Sequence, residues 1–327
     1  MAIARPLKAL ALAGATMLAL AGCSGGTETE PGATDEVATV EITDNEGTKT
    51  VPSPPQSVVA TDNRIFETLH DWDIVLKAAP RALMPDTNPY KTDESIVDLG
   101  NHREPKLEEV VAVNPDVIIN GQRFTQHGEK LAEFAPDAVI ITLDPRDGEP
   151  FDEELKRQVT VLGEIFDKKT EAEELAKEFD NAIARAKAAY NTDDTVMAVN
   201  VSGGNIGYIA PGQGRTLGPV FDFLGMTPAL EEVEGASANH QGDDISVEAI
   251  AQSNPDWILV MDRDAAAGAD DAAPASQIID SSEALKGVTA VQEGNVIYMP
   301  ADTYTNEGIQ TYTEFLNSFA EALEHKN

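Results

Sequence analysis

Cysteine, histidine, tryptophan and basic side chains are all scarce in this sequence, and each shortage closes off a class of function. A single cysteine among 327 residues cannot form an internal disulfide. Of the five histidines, His70, His102, His127 and His240 fall on separate predicted elements, which leaves no converging donor set for a zinc or manganese receptor. Two tryptophans and ten phenylalanines supply no aromatic-rich platform for sugars. Lysine and arginine total 23 against 57 aspartates and glutamates, a net charge of −34, and removing Arg5 and Lys8 with the leader described below makes it −36. Nucleic acid and anionic membrane surfaces are excluded as electrostatic partners. Catalytic signatures are missing as well: there is no Gly-x-Ser-x-Gly elbow, no His-Glu-x-x-His and no Gly-x-x-x-x-Gly-Lys-[Ser/Thr]. The chain reads as a non-enzyme that needs no cofactor.

What is present begins with a leader. Arg5 and Lys8 precede an apolar run, Ala9 to Leu20, too short to hold in a membrane as a span. It ends in Leu20-Ala21-Gly22-Cys23, so residues 1–22 read as a signal segment. The lone cysteine directly after the small-residue pair reads as a bacterial lipobox, with Cys23 diacylated as the new N-terminus; the plainer alternative is a secreted protein with a free thiol. Residues 23–37, rich in Gly, Thr, Glu and Pro, have little to bury and read as a disordered tether. The expected location is the outer face of the cell membrane, lipid-anchored.

Two stretches of the remaining chain are near copies, 140 positions apart. Leu107 to Arg123 and Val247 to Arg263 each run from an amphipathic helix through Asn-Pro-Asp into a short apolar strand. In both, an arginine stands seven residues after the Asp. Around the first copy, strands are predicted at Val37–Ile42, Thr48–Val51, Ser57–Ala60, Val117–Asn120 and Ala138–Leu143. Helices are predicted at Arg64–Trp72, Lys106–Asn114 and Glu129–Phe134. Residues 151–190 hold one glycine, Gly163, and no proline. Apolar stripes Leu155–Val159–Leu162–Ile165 and Leu175–Phe179–Ile183 mark them as helical, with a break possible at Asp167-Lys168-Lys169-Thr170. Strands at Val196–Val201 and Val296–Met299 and helices at Leu217–Leu224 and Gly308–Glu324 complete the second half. The predicted organisation is α/β: an N-terminal lobe over 38–165, a long rigid helix over 166–190 joining two Rossmann-like lobes, and a C-terminal lobe over 191–327. Ligands of open α/β sheets bind beyond the carboxyl ends of the strands, so the cleft between the lobes is the expected site.

Three arginines then matter most. Arg123 and Arg263 occupy the repeated position just past a strand. Arg215 closes the glycine-rich segment Ser202 to Arg215, whose glycines would let backbone approach a ligand. Guanidinium groups present a planar fork of donors suited to clustered anionic oxygens. Any one of them could equally be a surface ion-pair partner; the repeat symmetry makes them a set, provided all three face the gap and are not locked against neighbouring acids. His240, in Ala-Asn-His-Gln-Gly, and Tyr304, after the last strand, can donate to a ligand, and the Tyr ring can stack on an aromatic plane.

With the lipobox, the Val58-Val59-Ala60-Thr61-Asp62 strand, both Asn-Pro-Asp units and the long central helix, the chain resembles the substrate-binding lipoproteins of iron-siderophore and cobalamin ABC importers. The spacing of Arg123, Arg215, His240-Gln-Gly, Met261-Asp262-Arg263 and Tyr304 is similar to the catecholate-siderophore branch. That resemblance implies three arginines around a ferric complex, with His240 and Tyr304 completing the iron shell when the siderophore leaves positions open, and no metal otherwise held by the protein. It also implies permease docking through Glu67 on one lobe and Asp222 on the other, where the family more often has Glu at the second place. The expected partners are a ferric siderophore and an ABC permease with its ATPase, the protein acting as a monomer. A haem receptor using Tyr304 and His240 as axial ligands, a cobalamin receptor and a lipid-anchored hydrolase are the rival readings.

Overall fold

The computed structural model describes residues 38–230, 237–267 and 272–326. The signal segment, Cys23 and the tether lie outside them.

The described chain opens with a hairpin, β1 (Thr39–Asp44) and β2 (Gly47–Pro52), paired antiparallel around the Asp44–Gly47 turn. Asp44 accepts from Glu46 N and Gly47 N within the turn and from Thr142 N outside it, which pins the hairpin to the sheet beyond. That sheet contains β3 (Val58–Ala60), β4 (Leu76–Ala79), β5 (Val97–Asp98), β6 (Val117–Asn120) and β7 (Val139–Thr142) in the order β5-β4-β3-β6-β7, all parallel. Helices α1 (Phe66–Asp71), α2 (Val110–Val113) and α3 (Gly128–Phe134) connect them. The sequence pattern misses β4 and β5. The first, Leu-Lys-Ala-Ala, carries weak strand propensity and the second spans two residues; β4 forms on the buried edge that β3 offers, and β5 on the edge of β4.

The helical segment is two helices, α4 (Phe151–Phe166) and α5 (Lys169–Ala189). Asp167 ends α4 in the left-handed conformation, φ 56°. Gly163 is the one glycine in this stretch because a Cβ there would lie 2.7 Å from that of Ala172, where α5 folds back. Leu155 and Val159 of α4 pack in the C-terminal core, whereas Val161, Leu162, Ile165 and Phe166 pack in the N-terminal core. Along α5, Ala172 joins the N-terminal core and Phe179, Ala182, Ile183 and Ala186 join the C-terminal one. Both helices are therefore anchored in both lobes.

The second sheet contains β8 (Thr195–Ser202), β9 (Asn205–Tyr208), β10 (Thr227–Pro228), β11 (Trp257–Asp262) and β12 (Val296–Tyr298). Its parallel order is β10-β8-β11-β12, with β9 antiparallel on β8. Helices α6 (Gly218–Leu224), α7 (Val247–Ser253), α8 (Arg263–Ala267), α9 (Ala275–Ser281) and α10 (Thr289–Gln292) flank it. The final helix, α11 (Ile309–Lys326), buries Tyr312, Phe315 and Phe319 against α5. Four residues of the glycine-rich segment thus form β9, and while Gly204 faces open space, other glycines of the segment meet protein. A Cβ at Gly207 would lie 2.6 Å from Gln241 O, and one at Gly214 would lie 2.7 Å from Ala210 N.

The repeated Asn-Pro-Asp has one structural meaning in both lobes. Asn114 and Asn254 end α2 and α7 in the left-handed conformation, φ 41° and 47°, a role asparagine tolerates and the following proline enforces by refusing another helical turn. Asp116 Oδ2 then accepts from Gln56 N and Ser57 N at 2.6 and 2.9 Å, just before β3. Asp256 Oδ2 likewise accepts from Thr195 N and Thr195 Oγ1 at 2.7 and 2.9 Å, at the start of β8. Each motif stops a helix and clamps the neighbouring central strand, which fixes where the next strand ends and its arginine begins.

Candidate functional site

Strand β6 ends at Asn120, and a short 3-10 turn over Gln122–His127 carries Arg123. Strand β11 ends at Asp262 and α8 begins with Arg263. Arg215 lies between β9 and α6, and Tyr304 sits in a 3-10 turn over Thr303–Thr305 after β12. All four lie beyond strand carboxyl ends, and the fold brings them to one point. The guanidinium carbons of Arg123, Arg215 and Arg263 stand 4.9, 5.0 and 4.9 Å from the centroid of the Tyr304 ring. An aromatic face attracts cations, and here one ring offsets the mutual repulsion of three. The His240 ring is 6.5 Å from that of Tyr304, centroid to centroid, its backbone carbonyl held by Asn200 Nδ2 at 3.0 Å.

These residues line a cavity of about 540 Å³. Lys91, Arg103 and His102 line it as well, and among the described residues no carboxylate does. Among the described residues, five cations face one space without an acid, the opposite of the chain's overall balance and an arrangement that favours an anion there. Arg103 is exposed and forms no ion pair among the described residues, while Lys91 is held by Asp86 at 2.6 Å. No feature of the sequence around Lys91, His102 or Arg103 marks them out; only the fold brings them to the cavity wall.

The three central arginines have unequal partners. Arg123 Nη2 donates to the Tyr304 carbonyl at 3.3 Å. Arg263 Nη1 donates to Ser202 Oγ at 3.3 Å, its Nε is buried with no partner among the described residues, and Asp264 lies 3.7 Å away. Arg215 is paired, Nε donating to Glu307 Oε1 at 3.0 Å and Nη2 to Oε2. It therefore fails the requirement that the central arginines be unlocked, although its guanidinium still faces the Tyr304 ring. Glu307, 3% exposed, also accepts from Thr216 Oγ1 and from Gln122 Nε2 at 2.8 Å.

Protonation follows from these contacts. Burial alone would raise the Glu307 pKa, but Arg215 overrides it and holds the carboxyl down at about 2. The Tyr304 phenol is raised by burial and lowered by the adjacent Arg263 and the charges of Arg123 and Arg215; the net shift is downward. His240 lies below its ordinary value, first through partial desolvation and then through Arg263, Arg215 and Arg123, so its imidazole is neutral at pH 7. Beneath the site, Asp62 is fully buried, accepting from Gln158 Nε2 at 3.0 Å and Arg64 N at 2.9 Å. Burial lifts its carboxyl to about 6 against the opposing charge of Arg64.

Glu67 and Asp222 lie apart from this cavity. Glu67 on α1 lines a different, acidic cleft with Asp71, Asp302 and Glu314, and Asn306 Nδ2 donates to it at 2.7 Å. Asp222 is exposed on α6. Among the described residues, no group of three His, Cys, Asp or Glu side chains could hold a metal ion, and no helix is long and apolar enough to cross a membrane.

The family model for periplasmic binding protein matches residues 58–303, well over half the chain and both strand-end arginines of the repeat. The chain belongs to the periplasmic binding protein family. Among curated members, this periplasmic binding protein is 27% identical to the petrobactin-binding protein YclQ of Bacillus subtilis over 286 residues, 86% of each chain. It is 28% identical to the ferric-anguibactin-binding protein FatB of Vibrio anguillarum over 267 residues, 81% of each. The crystal structure of YclQ matches it with a TM-score of 0.73, covering 88% of this chain and 99% of that one at 25% identity. The catecholate-siderophore binding protein VctP of Vibrio cholerae shares the fold, with a TM-score of 0.75 at 22% identity, covering 87% and 100%. The two-lobed α/β architecture expected from the sequence is the fold of this family.

Proposed function

We propose that this periplasmic binding protein captures a ferric siderophore of catecholate type and delivers it to an ABC import permease. One observation carries the reading: a cavity of about 540 Å³ lined, among the described residues, by five cations and no carboxylate, with three guanidinium groups around one tyrosine ring. Ferric iron held by three catecholates is a trianion whose oxygens accept hydrogen bonds and whose rings can lie against Tyr304. The names of the relatives YclQ and FatB, a petrobactin- and a ferric-anguibactin-binding protein, agree with this ligand class. Arg123, Arg215 and Arg263 contact the chelate. His240 and Tyr304 take iron positions that a bis-catecholate leaves open. A haem ligand would offer two propionates to five cations, which is a poorer electrostatic match.

The reading extends to the rest of the chain. Cys23 carries the lipid that anchors the protein outside the cytoplasm, and residues 23–37 are the tether. The N-terminal lobe, 38–165, and the C-terminal lobe, 191–327, meet the permease through Glu67 and Asp222, and the protein works as a monomer without catalysis. The central test is quenching of intrinsic fluorescence by a panel of ferric siderophores, with haem as control. Ferric tris-catecholate is expected to bind with an affinity that falls as salt rises, and Arg123→Ala and Arg263→Ala each to weaken it by tenfold or more. A Soret band on loading with haem, or siderophore binding indifferent to both substitutions, would reject the assignment.

A further inference from the structure

Among the described residues, Glu307 is the only acid in direct contact with the central arginines from outside their own elements, and its four contacts are unusually placed. Gln122, the residue before Arg123, is left-handed at φ 50°, and Thr216, the residue after Arg215, is left-handed at φ 69°. Neither residue type favours that region, and a β-branched side chain there is strained, so surrounding contacts must hold both turns. The contact in each case is the same carboxylate: Gln122 Nε2 donates to Oε2 at 2.8 Å, and Thr216 Oγ1 donates to Oε1. Arg215 itself donates to both oxygens. Gln122 belongs to the N-terminal lobe, Arg215 and Thr216 to the C-terminal lobe, and Glu307 to the segment leading into α11. Both turns are braced further, Gln122 N by Asp144 Oδ1 at 2.8 Å and the Thr216 carbonyl by the Tyr312 hydroxyl at 3.0 Å. By contrast Arg263 follows directly on β11, at a position that needs no left-handed residue, and is held by Ser202.

We propose that Glu307 is the positioning residue of the anion site: its carboxylate clamps the two strained turns that present Arg123 and Arg215, one from each lobe, and sets their spacing across the Tyr304 ring before any ligand arrives. A buried carboxylate opposed to an anion site would otherwise only subtract charge. Its cost in attraction is offset by preorganisation, since the arginine fork need not be ordered at the moment of binding. The ligand part of this inference rests on the proposed siderophore reading; the clamp itself does not.

Two measurements on the full chain separate those parts. Hydrogen exchange of ligand-free Glu307→Gln, which keeps shape but loses charge and one acceptor oxygen, is expected to speed up in the peptides covering 121–125 and 214–218 together, with that covering Arg263 unchanged. Exchange that rises in one of the two peptides only, or equally throughout the protein, overturns the clamp whatever the ligand. The second measurement is a double-mutant cycle read as the Kd for ferric tris-catecholate. Glu307→Gln is expected to weaken binding roughly tenfold, to combine less than multiplicatively with Arg123→Ala and Arg215→Ala, and to multiply with Arg263→Ala. Equal coupling to all three arginines, or an unchanged Kd for Glu307→Gln, contradicts the positioning role. Failure of the wild-type protein to bind the chelate instead removes the siderophore reading and leaves the exchange result to decide the clamp.

Discussion

Asp62 Oδ2 lies directly beneath Gly121, where an added Cβ would sit 2.5 Å from it. The backbone there is extended, so space rather than conformation demands glycine. Gly121→Ala is expected to destabilise the fold by about 1–3 kcal/mol through overpacking. It should also move Arg123, two residues on, away from Tyr304. Urea unfolding reads the first effect and ligand titration the second; a variant as stable and as tight-binding as wild type would disprove the close packing.

The two buried carboxyls under the site respond to pH with opposite signs. The folded pKa of Asp62 is raised to about 6, so its contribution to stability is complete below its unfolded value near 4 and is lost as pH climbs through 6. Relative to wild type, Asp62→Asn should therefore gain about 2 kcal/mol between pH 4.5 and 7.5. Glu307, held at about 2, stabilises the fold above its unfolded value near 4.5 and loses that contribution as pH falls towards 2. Thermal unfolding across pH 3 to 8 checks both, and parallel curves for wild type and Asp62→Asn would count against a buried, perturbed Asp62.

Removing Glu307 outright should be costly. Glu307→Ala leaves Arg215, itself part-buried, without its counter-charge, and breaking such a pair costs about 3–5 kcal/mol. Chemical denaturation should show a lowered midpoint with an unchanged slope.

Tyr304 separates two roles by ligand choice. With a ferric tris-catecholate, which fills the iron shell, Tyr304→Phe keeps the ring that three guanidiniums face and should change affinity less than about threefold. Tyr304→Ala removes the ring, leaves three like charges together, and should weaken binding by tenfold or more. With a bis-catecholate, Tyr304→Phe itself should lose affinity and alter the red charge-transfer band. Identical behaviour of the two ferric ligands would show that the phenol never reaches iron.

Asp116→Ala and Asp256→Ala should each cost about 1–3 kcal/mol by orphaning the strand-start donors at Ser57 and Thr195. The losses should be similar, because the two motifs do the same work in the two lobes. Equilibrium unfolding of both variants decides this, and a cost at only one position would show that the likeness is confined to sequence.

Much of this molecule was legible in its sequence because the signals are local. An Asn-Pro-Asp stop, an apolar strand and an arginine seven residues on are all read within one short window, and the windows recur. The stripes of α4 and α5 repeat at helical spacing, and Leu155, Val159, Leu162, Ile165 and Phe179 are indeed buried. Short elements such as β4, β5 and β9 were not legible, since pairing with a neighbour, rather than their own residues, makes them strands.

The chain of residues by itself determined two α/β halves, the helices joining them and an arginine past a strand end in each half, because propensity, capping and periodicity act between neighbours. Only the tertiary structure decided that Tyr304 carries three guanidiniums, that Lys91 and Arg103 join them, and that Glu307 grips Gln122 and Arg215. Those partners lie 185 and 92 positions from Glu307 in the chain. A contact at such separation leaves no periodic trace; it exists because two sheets place their carboxyl ends opposite each other, where a buried carboxylate needs an opposite charge and a hydrogen-bond donor to replace lost water.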